Sequence, residues 1–95
     1  MNIPNNSDLN SYCTPGIFGV STTNTAVTIS NCPVRVAFLL EVLLLQKAES
    51  GNWIVGIQRL TVYTGADVYI RKISTNGTGT WTFDNWYKFN GTVVS

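Results

Sequence analysis

An Asn-Gly pair in the C-terminal third of the chain separates two segments rich in β-branched and aromatic residues. Asn76 and Gly77 follow the run 68–74 and precede the segment that begins at Thr80. Asn-Gly between such runs is the strongest short-range signal for a β-hairpin, because both residues accept the positive φ angles of tight hairpin turns. This part of the chain therefore predicts antiparallel strands joined by short turns.

The same pattern extends through most of the sequence. Further strands are predicted at 17–21, 34–47, 53–63, 80–83 and 86–89, with a Thr- and Asn-rich loop at 22–33. Gly56 lies inside one of these runs and predicts a bulge. We therefore expect a mainly β fold: a small antiparallel β-meander or sandwich of about five strands, with at most one short helix, near residues 8–12. Residues 1–95 form a single domain, in which 1–12 are an irregular N-terminal arm.

The run 34–47 is apolar on both of its faces. Phe38, Leu40 and Val42 would point to one side of a strand, while Leu39 and Leu43 would point to the other. A strand covered on both sides has this composition, and so does a buried helix, which periodicity alone does not separate from it. The hairpin partner that follows favours the strand. One small sheet cannot cover both faces, so we expect this strand at a subunit contact.

The composition limits the chemistry that is available. Charged residues make up 12% of the chain, the net charge is +1, and there is no His. This balance provides no electrostatic attraction to nucleic acid, and the longest apolar run, 36–45, is too short to span a bilayer. Cys13 and Cys32 could form one disulfide under oxidising conditions or remain two buried thiols. We predict no metal and no cofactor.

The acidic residues do not suggest an active site. Glycoside hydrolysis needs two carboxyl groups that flank one bond. Glu41 is the acid placed among apolar neighbours, and we expect it to form a structural charge pair with Arg59 or Arg71 on an adjacent strand. The other acids fall in predicted turns or in the N-terminal arm: Asp8, Glu49, Asp67 and Asp84. We therefore predict that the protein is not an enzyme. A glycan depolymerase that depends on Glu41 is the competing hypothesis.

Aromatic and polar residues cluster around the last predicted turns. Aromatic rings can stack on sugar rings while polar turn residues fix the hydroxyl groups, and a similar cluster can serve a protein partner. The predicted ligand or receptor contacts are Asn76, Thr78, Trp81, Asp84, Asn85 and Trp86. The structural alternative is that Trp81 and Trp86 mainly fill the core.

Several segments together resemble a known family. Residues 8–12 read Asp-Leu-Asn-Ser-Tyr, and residues 14–18 read Thr-Pro-Gly-Ile-Phe. The pattern continues at 31–33, 38–42, 58–61 and 68–71, and ends with Trp81 and Trp86. In this order, over nearly the whole chain, the sequence resembles the pyocin-knob family, small domains of tail fibres in bacteriophages and phage-derived bacteriocins. Four residues separate the two tryptophans where the family usually has two, which predicts an enlarged exposed turn.

The resemblance implies a structural and host-receptor-binding module of a phage tail fibre or tail-like appendage. Such a module is commonly homotrimeric, associates with other tail proteins, and contacts bacterial surface glycan. It would belong to the virion tail or a phage-like particle, made in the bacterial cytoplasm and extracellular after release. The resemblance brings no catalytic residues. The alternative is a purely architectural spacer or trimerisation domain of a virion, with no ligand of its own.

Overall fold

The strands of this chain form one antiparallel sheet whose order follows the sequence. The computed structural model describes residues 1–46, 53–77 and 79–94. Within these ranges the strands are β1 Gly16–Val20, β2 Phe38–Gln46, β3 Ile54–Val62, β4 Val68–Thr75, β5 Trp81–Phe83 and β6 Tyr87–Phe89. Strands β1 to β5 are hydrogen-bonded in sequence order, and β6 also pairs with β4. The prediction of a mainly β, antiparallel meander is confirmed.

The run that is apolar on both faces, 34–47, contains a strand, as its predicted hairpin partner indicated. β2 begins at Phe38 and pairs with both β1 and β3. Its inward side chains Phe38, Leu40 and Val42 are buried, whereas Leu39 and Leu43 point to the other face and are exposed. The chain itself therefore covers one face of β2, which we call the inner face of the sheet, and leaves the outer face open.

The inner face is covered by the N-terminal third of the chain. A 3₁₀ turn, Leu9–Ser11, lies within the predicted helical region and is capped by Asp8, whose Oδ1 accepts a hydrogen bond from the Asn10 amide at 2.8 Å. The predicted loop 22–33 contains a single helical turn, Thr23–Ala26, which the sequence analysis did not anticipate. The core unites residues of this cover with residues of the sheet: Ile3, Leu9, Ala26 and Ile29 with Phe38, Leu40, Leu60 and Ile73.

The N-terminal arm is fixed to the edge of the sheet. The Ile3 amide donates to the Gly19 carbonyl at 2.8 Å, and the Gly19 amide donates to the Met1 carbonyl at 2.8 Å. A second short bridge joins Asp8 to Ser30. The two bonds to Gly19 use backbone groups that the edge strand β1 would otherwise present to other chains.

Gly56 permits a close approach of two strands and does not form a bulge. The pairing of β2 with β3 runs without interruption from Phe38 opposite Val62 to Gln46 opposite Ile54. A Cβ atom on Gly56 would collide with the carbonyl oxygen of Leu43 and with the Leu44 side chain. The predicted bulge is therefore wrong, because the glycine is required by lack of space across the strand pair.

We predict that Gly56→Ala lowers the free energy of unfolding by about 1–3 kcal/mol, since the extra methyl group forces these strands apart. Gly65→Ala is the matched control: an added Cβ there meets nothing within 4 Å, so its effect should stay within about 0.5 kcal/mol. Urea denaturation followed by tryptophan fluorescence measures both. Equal unfolding midpoints for the two variants would show that the strands adapt without strain.

Candidate functional site

Arg71 on β4 is the centre of a buried polar network on the inner face. Its side chain is 4% exposed. Its Nε donates to Gln58 Oε1 at 2.7 Å, and its Nη2 donates to Asn10 Oδ1 at 2.9 Å. Gln58 in turn donates through Nε2 to the carbonyl oxygens of Leu9, at 2.7 Å, and Tyr12, at 2.8 Å. The network therefore ties β3 and β4 to the N-terminal arm.

Two aromatic rings complete the surroundings of the guanidinium group. The Arg71 Cζ atom lies 4.6 Å from the ring centroid of Phe83 and 4.6 Å from that of Trp86, within the range of cation–π attraction. The Trp86 indole nitrogen donates to the Asn31 carbonyl at 3.1 Å, which fixes the ring. Burial lowers the pKa of Arg71, and the charge of Asp8 opposes this. The group remains a cation, because an arginine does not lose its proton in a protein.

A break in the last edge of the sheet creates an opening beside this network. β5 pairs with β4 at Ile73 opposite Phe83, while β6 pairs with β4 further along, at Ile70 opposite Tyr87. Between them the Asp84 amide still donates to the Lys72 carbonyl at 3.0 Å, and the chain then turns away from the edge. This excursion, 84–86, includes Asp84 and Asn85, two of the four residues between Trp81 and Trp86.

The opening is a polar cleft of about 440 Å³. We call it the Arg71 cleft. Besides Arg71, its lining consists of Asn10, Asn31, Phe83, Asp84, Asn85 and Trp86. Its residues come from the N-terminal arm, the loop after the helical turn, β4, β5 and the excursion of the last edge.

The structure divides the predicted contact residues among different places. Asp84, Asn85 and Trp86 meet in the Arg71 cleft. Asn76 lies in a separate groove of about 200 Å³, which also contains Trp53. Trp81 is half-buried and packs against the core, in line with its structural alternative. Thr78 lies outside the described residues.

Sequence reasoning missed the other half of the cleft. Asn10 and Asn31 fall within segments that the family resemblance singled out, yet no local pattern gives them a contact role. Asn10 lies 61 positions from Arg71 in the sequence. Only the folded arm brings such distant residues together.

The predicted charge pair forms with one of its two possible partners. Arg59 Nε lies 3.1 Å from Glu41 Oε1, and these residues are directly opposite each other on the outer face. Pairing of Glu41 with Arg71 is wrong, because Arg71 faces Gln58 across the strand pair and therefore lies on the inner face. Both partners of the observed pair are partly exposed, so the bond contributes little stability.

The remaining titratable groups have local structural surroundings. Asp67 Oδ2 lies 3.7 Å from Lys88 Nζ, and Glu49 lies outside the described residues. Cys13 and Cys32 are free and half-buried, and burial raises the pKa of both thiols. Within the described ranges no three His, Cys, Asp or Glu residues come together as a metal site. Nor does any helix in those ranges have the length and apolarity to cross a bilayer.

Comparison with known proteins places the fold. No protein-family model matches the sequence, and no curated protein matches it. Among solved structures, the chain is similar to an N-truncated R2-type pyocin tail fibre, with a TM-score of 0.65 and 30% identity over 93% of this chain. It is also similar to an R1 pyocin fibre of P. aeruginosa, with a TM-score of 0.65 and 26% identity over 93% of this chain.

This is a fold found in pyocin tail fibres. The chain spans 31% of the R2-type structure and 20% of the R1 structure, so it corresponds to a part of each fibre. The predicted likeness to tail-fibre proteins is thus supported at the level of the fold, while the knob family itself has no matching model.

We predict that Arg71→Lys lowers the free energy of unfolding by about 2–4 kcal/mol. Lysine lacks the planar guanidinium group, so it cannot donate hydrogen bonds to both Gln58 and Asn10 while it contacts two aromatic rings. Lys72→Arg, the reverse exchange at the adjacent exposed position, should change stability by less than about 0.5 kcal/mol. Denaturation curves test the pair. Similar stability for both variants would mean that any cation suffices at position 71.

Proposed function

We propose that this chain is a structural and receptor-binding domain of a tail fibre or tail-like appendage, and that it works as a homotrimer without enzymatic activity. The observation that carries the proposal is the similarity of nearly the whole chain to parts of two pyocin fibres. The proposed location follows from it: the tail of a virion or phage-like particle, made in the bacterial cytoplasm and extracellular after release.

The outer face of the sheet supports self-association. Leu39, Leu43 and Leu45 on β2 are 42%, 49% and 65% exposed, and Tyr87 and Phe89 at the far edge are 58% and 55% exposed. Several exposed apolar side chains on one face of a sheet suggest an interaction site, because leaving them in water is unfavourable. The Glu41–Arg59 pair lies among them and neutralises itself, so covering these two residues leaves neither of their charges unpaired.

A depression on this face offers a place for a side chain of a neighbouring copy. It measures about 510 Å³ and is bordered mainly by apolar residues of β2 and β3, among them Leu43, Leu45, Val55 and Ile57. Lys72 lies at its side. We assign the outer face to contacts between copies of this chain, with other tail proteins joining the assembly elsewhere.

The Arg71 cleft supports the receptor role. Its polar side chains lie on a frame held by the buried network, and such preorganisation reduces the entropy lost on binding. Asn85 and Asp84 are exposed at its rim. Weak contacts to a bacterial surface glycan, repeated on three copies, would give useful avidity.

The absence of enzymatic activity is supported by the partners of the acids. Glu41 pairs with Arg59, Asp67 pairs with Lys88, and Asp8 caps the 3₁₀ turn. Each of these carboxylates has a structural role. The test measures release of reducing sugar from capsular or cell-wall glycan by the protein and by Glu41→Gln. Release by the unaltered protein that is lost in the variant would contradict this part of the proposal.

An architectural spacer without a ligand is the second candidate. One observation favours it: Phe83 and Trp86 both contact Arg71, so the two rings already serve the stability of the domain. Binding to a glycan array and to whole bacterial cells separates the two functions. If the correctly assembled protein binds in neither assay, the spacer function is supported and the receptor function is not.

For the assembly, we predict a light-scattering mass of about three times the 10.4 kDa chain at micromolar concentration. Leu43→Glu should shift the mass towards one chain, because it places a charge in the apolar contact. Asn24→Glu, an exposed position on the helical turn of the covered side, is the control and should leave the mass unchanged. A single-chain mass for the unaltered protein would refute the trimer.

For the receptor role, we predict that Asn85→Ala weakens binding to cells or arrayed glycan at least about tenfold, the effect of losing one or two hydrogen bonds. Its thermal unfolding should be unchanged, because Asn85 is exposed. Asn90→Ala removes the same group from an exposed residue that is absent from the cleft lining, and should bind normally. Equal binding by the two variants would place the receptor site elsewhere.

A further inference from the structure

The charges and hydrogen bonds of the Arg71 cleft indicate what kind of sugar it can accept. On the basis of the proposed receptor function, we infer that the Arg71 cleft binds an uncharged pyranose through its hydroxyl groups and discriminates against acidic sugars. Neither the similarity of fold nor the cleft volume makes this distinction. The preference for neutral sugars follows from the hydrogen bonds that Arg71 already makes and from the acidic residues in and near the cleft.

The edge of the Arg71 guanidinium group formed by Nε and Nη2 is not available to an anion. Arginine recognises a carboxylate through two parallel N–H groups on one edge of the guanidinium plane. Here the Nε and Nη2 atoms already donate to Gln58 and Asn10, at 2.7 and 2.9 Å. A carboxylate could take this edge only by breaking two buried hydrogen bonds and leaving their acceptors unpaired, which is unfavourable.

Acidic groups in and beside the cleft oppose a second negative charge. Asp84 is an exposed residue of the lining, and its Oδ1 accepts a hydrogen bond from the Asn85 backbone amide at 2.8 Å. Asp8 lies close enough to raise the pKa of Arg71, and its Oδ1 accepts from the Nδ2 of Asn31 at 2.8 Å. The lining therefore contains one cation, Arg71, and one acidic residue, Asp84, with Asp8 nearby, so a uronic acid entering the cleft would meet no excess of positive charge.

The remaining groups suit hydroxyls. A carboxylate such as that of Asp84 accepts strong charge-assisted bonds from neighbouring hydroxyl groups, and an amide such as that of Asn85 both donates and accepts. Trp86 adds a half-buried apolar ring, held by its bond to Asn31, against which the C–H face of a sugar can pack. The volume of about 440 Å³ falls within the ~300–1,000 Å³ range of small-molecule sites.

The test compares matched sugars that differ only at C6. The ¹⁵N-labelled full chain is titrated with the methyl α-pyranosides of glucose, galactose and mannose, and with the methyl glycosides of the corresponding uronic acids. The Trp86 indole N–H and the Asn85 side-chain amide report occupancy of the cleft. We expect at least one neutral glycoside to shift both signals, and its uronic counterpart to bind at least tenfold more weakly.

Removing the charge of Asp84 tests the cause. Asp84→Asn should weaken binding of the neutral sugar, because it removes a strong hydrogen-bond acceptor. It should also bring the ratio of neutral-sugar affinity to uronic-acid affinity towards one, because it removes the repulsion of the uronic carboxylate. Asp67→Asn makes the same change of charge at a residue that is absent from the cleft lining, and should preserve the ratio. Raising NaCl from about 20 to about 500 mM should narrow the ratio as well, since salt screens exposed charges.

Two results would overturn the inference in different ways. Equal or tighter binding of a uronic acid at the Trp86 signal would refute the choice of neutral sugars and leave the receptor function standing. No shift at Trp86 with any of the six glycosides would refute the inference itself. If the glycan array and whole cells also showed no binding, the receptor function would fall with it.

Discussion

A buried cation without a carboxylate partner holds this domain together. Transferring an arginine from water to the interior is costly, and within the described residues no acid lies within ion-pair distance of Arg71 to offset that cost. The amide oxygens of Gln58 and Asn10 and two aromatic rings replace the lost hydration. The same group thereby joins the N-terminal arm, the middle of the sheet and its last edge through side-chain contacts. Stability and the shape of the cleft depend on one side chain.

The size of the chain explains why its two sheet faces differ. A 95-residue chain has enough material to cover one face of the sheet, and the arm, the 3₁₀ turn and the helical turn do so. The outer face keeps its apolar side chains in contact with solvent. The proposed trimer would give these residues the second covering layer that the sequence of β2 anticipates, so the fold of the chain and the assembly of the appendage would depend on the same strand.

The interrupted edge links the fold to the proposed receptor contact. Two three-residue strands separated by an excursion give neighbouring chains little continuous edge to pair with, which limits aggregation. The excursion also places Asp84, Asn85 and Trp86 beside the buried network. The departure from regular pairing therefore protects the sheet and forms one wall of the cleft. Because hydrogen bonds already hold Asn10, Asn31 and Trp86, these side chains need little reordering when a sugar enters.

The sequence by itself determined the strands and their antiparallel order, because alternation and turn residues are local properties of the chain. For Glu41 it left two possible partners, Arg59 and Arg71. Only the tertiary structure decided that Gly56 prevents a collision, that Arg71 faces inward, and that Asn10 and Asn31 belong to the cleft. These facts depend on which face each strand presents and on contacts between residues as many as 61 positions apart. Such contacts form when the arm folds over the sheet, and no short segment encodes them.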